Sequence, residues 1–116
     1  MKTFRFSSLF LVGATVVVSS CSKCIDENPR ARIINNGTQK ASVQVKTSDG
    51  NTININNVEP NTSSDYASYA GGQVTFTATV GTNTAVKTTQ IGTCYDYDIA
   101  IDRTNTITVT GIDRNE

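Results

Sequence analysis

The three cysteines are the residues whose chemistry can be weighed first. Cys21 and Cys24 lie three positions apart in "VSSCSKC", and Cys94 lies far downstream. Two thiols at this spacing occur in tetrahedral zinc sites, but such a site needs at least one more pair of ligands. The chain has no histidine and only one further cysteine. The spacing therefore does not predict a metal centre, and it leaves either a redox pair or two unrelated thiols.

A positively charged and then apolar segment precedes Cys21. Lys2 and Arg5 are followed by a largely apolar run, residues 9–18. This run is about half of the roughly 20 residues that a membrane-spanning helix needs. It matches the roughly 7–15-residue core of a secretory signal peptide. We predict that residues 1–20 are a signal peptide rather than a buried strand or core helix.

The end of this segment, Val18-Ser19-Ser20-Cys21, resembles the lipobox of bacterial lipoproteins: a branched apolar residue, two small residues and a cysteine. The resemblance implies a diacylglyceryl group on the Cys21 thiol, cleavage just before it, and acylation of the new amino terminus. An ordinary secreted protein is the alternative. Lipidation anchors a protein to a membrane without spanning it, and more than one acyl chain makes the anchoring stable.

The residue after the lipobox bears on location. Enteric lipoproteins retained in the inner membrane commonly carry aspartate there, whereas this chain has Ser22. We therefore expect a protein of the cell envelope of a Gram-negative bacterium, anchored by lipid in the outer membrane and facing either the periplasm or the surface.

With lipid on Cys21, the thiols of Cys24 and Cys94 remain. Envelope compartments are oxidising, and disulfides persist there. Two remaining cysteines in such a place are expected to bond to each other, so we predict a Cys24–Cys94 disulfide. Closing a loop of about 70 residues is worth on the order of 4 kcal/mol in the chain-entropy model. That contribution matters, because a small domain with few large side chains is marginally stable.

Composition excludes several classes of function. Without the leader, eight basic residues remain against ten acidic ones, and there is no basic run, so we expect no nucleic-acid partner. No histidine is available as the base of a nucleophilic pair, and no glycine-rich loop precedes a helix. The sequence thus predicts no catalytic residue, no metal and no cofactor.

The sequence after the leader predicts a tether followed by one β-domain. Residues 21–29 form a short polar tether that ends at Pro29, and residues 30–116 form the domain. Short runs with β-type alternation are separated by turn signals, at 30–34, 41–47, 51–56, 65–69, 73–80, 85–91, 94–101 and 106–112. This spacing is typical of an all-β fold. We predict an immunoglobulin-like antiparallel β-sandwich of seven or eight strands, or alternatively a small β-barrel.

The hairpin around Ser48-Asp49-Gly50 allows a prediction of register. A two-residue turn would set Val45 opposite Asn54, whereas a three-residue loop pairs Val45 with Ile53. A one-residue slip turns every side chain to the other face, so the apolar pattern favours the three-residue loop. That loop also places glycine where a type I turn with a G1 bulge needs a positive φ.

Two segments, "ARIINNG" (31–37) and "SDYASYAGGQVTFTATVGT" (64–82), resemble a family of small immunoglobulin-like domains found in bacterial surface lipoproteins. The resemblance covers about half of the chain after the leader. It implies the sandwich fold and carries no activity.

Carboxylates form the one other cluster with potential chemistry. Asp96 and Asp98 alternate on one face of a strand, and Asp102 follows in a turn. Calcium is bound by several such oxygens, and paired carboxylates catalyse glycoside hydrolysis. A solvated strand face is the simpler interpretation and the one we favour. As candidate binding residues we retain Asp96 and Asp98, together with Asp65 and Tyr66.

Alternation also sorts the four tyrosines. Tyr95 and Tyr97 share a face with Ile99 and Ile101, which predicts that both belong to the core. Tyr66 and Tyr69 point in opposite directions along a strand, so one of that pair is expected to be exposed.

These observations predict a lipid-anchored, non-enzymatic envelope protein that acts as a binding or structural accessory, docked to an envelope assembly. The alternative is a periplasmic hydrolase-inhibitor or immunity-type lipoprotein. Such a protein would need a protruding loop, for which Asp65-Tyr66 and Asp102-Arg103 are the candidates.

Overall fold

A computed structural model describes residues 23–115, which fold into strands and turns without a helix. The predicted leader and Cys21 lie outside the described residues. The strands are β1 (Arg30–Asn35), β2 (Ala41–Lys46), β3 (Thr52–Val58), β4 (Thr62–Ser63), β5 (Ala67–Ser68), β6 (Gly72–Val80), β7 (Asn83–Ile91), β8 (Tyr95–Ile101) and β9 (Ile107–Asp113).

The strands form two packed sheets, which confirms the predicted all-β sandwich over the barrel. Sheet I has the order β9-β8-β1-β4, with β5 also paired to β1, and sheet II has the order β3-β2-β6-β7. Eight strands at most were predicted, and the additional one is β4, two residues long, in a segment expected to be a turn. One pair departs from the antiparallel prediction, because β1 lies parallel to β8.

The core forms where the inward positions of the two sheets meet. Val43 and Val45 of β2 and Phe76 of β6 are fully buried, and Ile33 of β1 and Ile99 of β8 face them from sheet I. Between these positions the side chains are half-buried or exposed, as the period-two pattern requires. The β-type alternation predicted for 41–47 and 73–80 is therefore confirmed.

The β2–β3 hairpin has the predicted register. Val45 pairs with Ile53, and Val43 pairs with Ile55. The loop closes through Thr47 and Asn51, whose backbone N–H and carbonyl groups are 3.0 Å apart. Gly50 has a φ of 89°, the left-handed conformation that a G1 bulge requires and that glycine adopts without a steric penalty.

Two of the four tyrosines are buried and two are not. Tyr97 is buried as expected, but Tyr95 is 38% exposed, so its assignment to the core was wrong. Tyr95 is the first residue of β8 and lies at the end of the sheet. Its ring stacks on that of Tyr97 with the centroids 5.9 Å apart. Of the other pair, Tyr69 is buried, which raises the pKa of its phenol, and Tyr66 is half-buried.

Asn35, at the end of β1, is a fully buried polar residue. Its Nδ2 group donates to the carbonyl oxygens of Gln39 at 2.7 Å and Val58 at 2.9 Å, and its Oδ1 accepts from the backbone N–H of Gly37 at 2.9 Å. One side chain therefore closes the turn after β1 and ties sheet I to the end of β3 in sheet II.

Replacing Asn35 with alanine should lower the free energy of unfolding by about 2–4 kcal/mol, because buried backbone groups lose their partners. Urea unfolding followed by circular dichroism would measure this loss. Asn36→Ala is the matched control, since Asn36 is exposed. Equal stabilities for the two variants would contradict the role assigned to Asn35.

Candidate functional site

The parallel pairing of β1 with β8 aligns two arginines with two aspartates. Arg30 is in register with Asp96, and Arg32 is in register with Asp98. Because alternate residues of a strand share a face, all four side chains lie on the outer face of sheet I.

Each arginine binds its aspartate through two nitrogen–oxygen contacts. Arg30 places Nε 2.8 Å from Oδ1 and Nη2 2.6 Å from Oδ2 of Asp96. Arg32 places Nε 2.8 Å from Oδ1 and Nη2 3.4 Å from Oδ2 of Asp98. Two parallel bonds of this kind fix the plane of the guanidinium as well as its position.

Tyr66 covers the two ion pairs. Its hydroxyl donates to Oδ1 of Asp98 at 2.9 Å. The guanidinium carbons of Arg30 and Arg32 lie 5.4 Å and 4.9 Å from the centre of its ring, within the range of cation–π contacts. We call Arg30, Arg32, Tyr66, Asp96 and Asp98 the arginine–aspartate cluster.

The electrostatics of the cluster favour the ordinary charge states of Asp98, of Tyr66 and of the two arginines. Hydrogen bonds from Arg32 and Tyr66 lower the pKa of Asp98. Burial and the neighbouring Asp98 carboxylate raise the pKa of Tyr66. Hydrogen bonds to the aspartates likewise raise the pKa of Arg30 and Arg32. Asp98 therefore remains ionised and Tyr66 remains protonated near neutral pH, and neither is tuned to transfer a proton.

Arg114 extends the cluster toward the start of the domain. Its Nε lies 3.2 Å from Oδ1 of Asp96, as an ion pair without hydrogen-bond geometry. Its Nη1 donates to Glu27 at 2.9 Å, and its Nη2 donates to the carbonyl oxygen of Asn28 at 2.7 Å. Arg114 thus joins the end of β9 to the segment that precedes β1.

The predicted site residues are only partly brought together. Tyr66, Asp96 and Asp98 belong to the cluster, whereas Asp65 is exposed beside it. Asp102 lies in the β8–β9 turn, where its carboxylate accepts hydrogen bonds from Thr104 and Thr106. Within residues 23–115, no three His, Cys, Asp or Glu side chains are grouped so as to hold a metal ion.

The sequence did not predict a role for Arg30, Arg32 or Arg114. A signal was present, because "RAR" (30–32) and "DYD" (96–98) both carry charge with a period of two and opposite sign. Two such segments can form paired contacts only if the strands are neighbours in the same register.

The cysteine pair lies at the Arg114 end of the sandwich. Cys24 is bonded to Cys94 with the Cα atoms 5.6 Å apart, which confirms the predicted disulfide. Hydrogen bonds surround it: the N–H of Cys94 donates to the carbonyl oxygen of Glu27 at 2.9 Å, and the N–H of Cys24 donates to the side-chain Oδ1 of Asn115 at 2.8 Å. The segment before β1 is therefore fixed to the domain.

The outer face of sheet II carries a shallow groove of about 260 Å³. Uncharged polar side chains from three strands line it, among them Ser42, Gln44, Asn54, Asn56, Thr77 and Thr79. In the part of the chain that the structure describes, no helix is long and apolar enough to cross a bilayer.

Comparisons with known proteins identify no family. No protein-family description matches the sequence, and no curated protein matches it. Two solved chains match. One is described as "NMR structure of the protein from Eubacterium rectale", with 22% identity over 75% of this chain and 90% of that chain and a TM-score of 0.47. A likeness of this size carries no argument about function.

The lowered pKa of Asp98 makes a prediction for acid stability. A carboxylate whose pKa is lower in the folded protein than in the unfolded chain stabilises the fold at pH values above the unfolded pKa. That stabilisation is lost as the pH falls through the pKa of the folded protein. Asp98→Asn should therefore be less stable at neutral pH and lose less stability below about pH 4. Urea titrations from neutral to acid pH would measure both effects.

The exposed Asp65→Asn is the control for that experiment and should behave as wild type. Some acid dependence should remain in Asp98→Asn, because hydrogen bonds from Thr47 and from the Thr106 backbone also lower the pKa of Asp49 and Asp102. An acid slope identical to that of wild type would show that the cluster does not depend on the charge of Asp98.

Removing the disulfide should destabilise the domain strongly. Its cysteines are 70 residues apart, and the double variant Cys24→Ser, Cys94→Ser should lose about 4 kcal/mol of unfolding free energy in the chain-entropy model. Alkylation after reduction should add two labels to the chain that are absent without reductant. An unchanged denaturant midpoint in the double variant would contradict the stabilising role.

Proposed function

We propose that this protein is a bacterial lipoprotein, anchored through lipid on Cys21 in the cell envelope, and that it acts there as a non-enzymatic binding or structural accessory. The observation that supports this proposal best is the Cys24–Cys94 bond. The chain has three cysteines, so the disulfide leaves Cys21, which follows the apolar leader, as the thiol available for lipid.

The boundaries of the domain fit this arrangement. The leader would end at residue 20 and the tether would cover 21–29, and β1 begins at Arg30. Residues 24–28 of the tether already contact Cys94 and Arg114. The lipid would then be joined to a fixed part of the domain, which suits a protein that must be held close to the membrane.

A non-enzymatic role is supported by the state of the carboxylates. Asp96 and Asp98 would be the acid and base of a glycosidase-like reaction. Each accepts two contacts from an arginine, and Asp98 is held as the anion by its low pKa. A general acid needs a raised pKa, whereas that of Asp98 is lowered, and both carboxylates are engaged by arginine instead of being free for a substrate.

The binding partner that we propose is another envelope protein. The groove of sheet II offers hydroxyl and amide groups without charge, and the cluster on sheet I neutralises its charges internally. The inhibitor alternative gains less support, because Tyr66 packs against Arg30 and Arg32 instead of protruding.

Mass spectrometry of the protein from its natural membrane tests the anchor. We expect a chain that begins at Cys21 and carries acyl groups, and we expect Cys21→Ser to retain residues 1–20 and lose the acyl mass. The double variant Cys24→Ser, Cys94→Ser is the matched control and should still carry lipid. An unmodified Cys21 in the natural protein would overturn the proposal.

Capture of partners tests the accessory role separately. The intact lipoprotein, cross-linked in native membranes and purified, should retain a defined envelope protein that Cys21→Ser does not retain. If lipid is present on Cys21 but no protein is retained, the accessory role is wrong while the anchor stands.

A further inference from the structure

The large apolar side chains that the described residues leave exposed are unevenly distributed. There are four of them: Ile25 at 77% exposure, Val86 at 62%, Ile112 at 46% and Tyr95 at 38%. Ile25 directly follows Cys24, and Tyr95 directly follows Cys94. Ile112 pairs with Asp96, the next residue along β8. Three of the four therefore lie at the disulfide end of the sandwich.

Backbone contacts hold these three positions together. Cys24 and Cys94 are covalently joined. The N–H of Arg114, two residues after Ile112, donates to the carbonyl oxygen of Cys94 at 3.0 Å, and Asp113 pairs with Tyr95. Because paired residues project from the same face of a sheet, Ile112 shares the outer face of sheet I with Asp96, whereas Tyr95 projects with Asp113 from the opposite face. Exposed apolar side chains that are scattered singly need no explanation, whereas three on both faces of one end mark that end as a contact surface.

The tether places the same end next to the proposed lipid. Only Ser22 and Lys23 separate Cys21 from Cys24. An extended chain spans at most about 3.6 Å per residue, so the two Cα atoms lie within about 11 Å of each other. Because Cys24 is bonded to Cys94, the tether cannot lengthen by detaching from the domain.

We propose that the disulfide end, formed by Ile25, Tyr95 and Ile112, rests in the headgroup region of the bilayer and fixes the orientation of the domain on the membrane. This inference rests on the proposed lipidation of Cys21. Tyrosine is favoured at membrane–water interfaces, where its ring is apolar and its hydroxyl stays hydrated. Ile25 and Ile112 supply further apolar surface at the same end of the sandwich.

The charges of this end indicate the kind of membrane contact. Asp26, Glu27 and Asp113 are acidic there, against Lys23 and Arg114. Attraction to anionic lipid therefore does not drive the contact. The contact should form on zwitterionic phosphatidylcholine and be insensitive to salt.

The absence of tryptophan from the chain allows a direct test. Single variants Ile25→Trp, Tyr95→Trp and Ile112→Trp each add one reporter at the proposed surface. Val86→Trp is the matched control, because Val86 is more exposed than Tyr95 or Ile112 and lies five residues before the end of β7, about 17 Å along the strand. Each lipidated full-length product would be reconstituted into phosphatidylcholine vesicles with acyl chains brominated close to the headgroup.

We expect blue-shifted and quenched emission at positions 25, 95 and 112, unaffected by salt, and neither effect at position 86. Equal emission at all four positions, with the lipid mass present on Cys21, would overturn the orientation and leave the anchor intact. Absence of the lipid mass would overturn the proposed anchor itself. If one of these tryptophan variants fails to fold, comparison of the remaining two with Val86→Trp still tests the orientation.

Discussion

The parallel alignment of β1 with β8 joins the first strand of the domain to its last hairpin, and most of the structure depends on it. Without it, β1 would have only the two-residue partners β4 and β5 in sheet I. The aligned residues are 66 apart in sequence, so bringing them together costs loop-closure entropy. The disulfide lowers this cost by restricting the unfolded chain, and the arginine–aspartate cluster specifies which residues meet.

The two ends of β1 are secured by different means. At its start, Arg114 ties the preceding segment to the end of β9, and the Cys24–Cys94 bond ties it to the start of β8. At its end, buried Asn35 donates hydrogen bonds to the backbone of the turn after β1 and to the end of β3 in sheet II. The core between them consists mostly of valine, alanine and isoleucine around one phenylalanine. Small side chains of this kind bury little apolar area per residue. This explains why hydrogen bonds, ion pairs and the disulfide are concentrated around β1.

One edge of sheet II shows how the fold limits unwanted association. β7 is nine residues long and ends the sheet, so it presents unpaired backbone groups. Lys87 pairs with the buried Phe76, so the Cβ atom of Lys87 points to the core side of the sheet. The side chain as a whole is nevertheless exposed. A charge at this position of an edge strand opposes pairing with another chain.

The sequence by itself determined the features that depend on neighbouring residues, which are the period-two strands and the loop at Ser48-Asp49-Gly50. The count of cysteines also determined the disulfide, although its cysteines are 70 residues apart. Only the tertiary structure decided that β1 pairs in parallel with β8, that Arg30 meets Asp96, and that Tyr95 lies beyond the core. The physical reason is that backbone geometry and turn conformation are local, whereas the choice of strand partners depends on the burial of the whole sandwich. No single segment of the sequence encodes the burial of the whole sandwich.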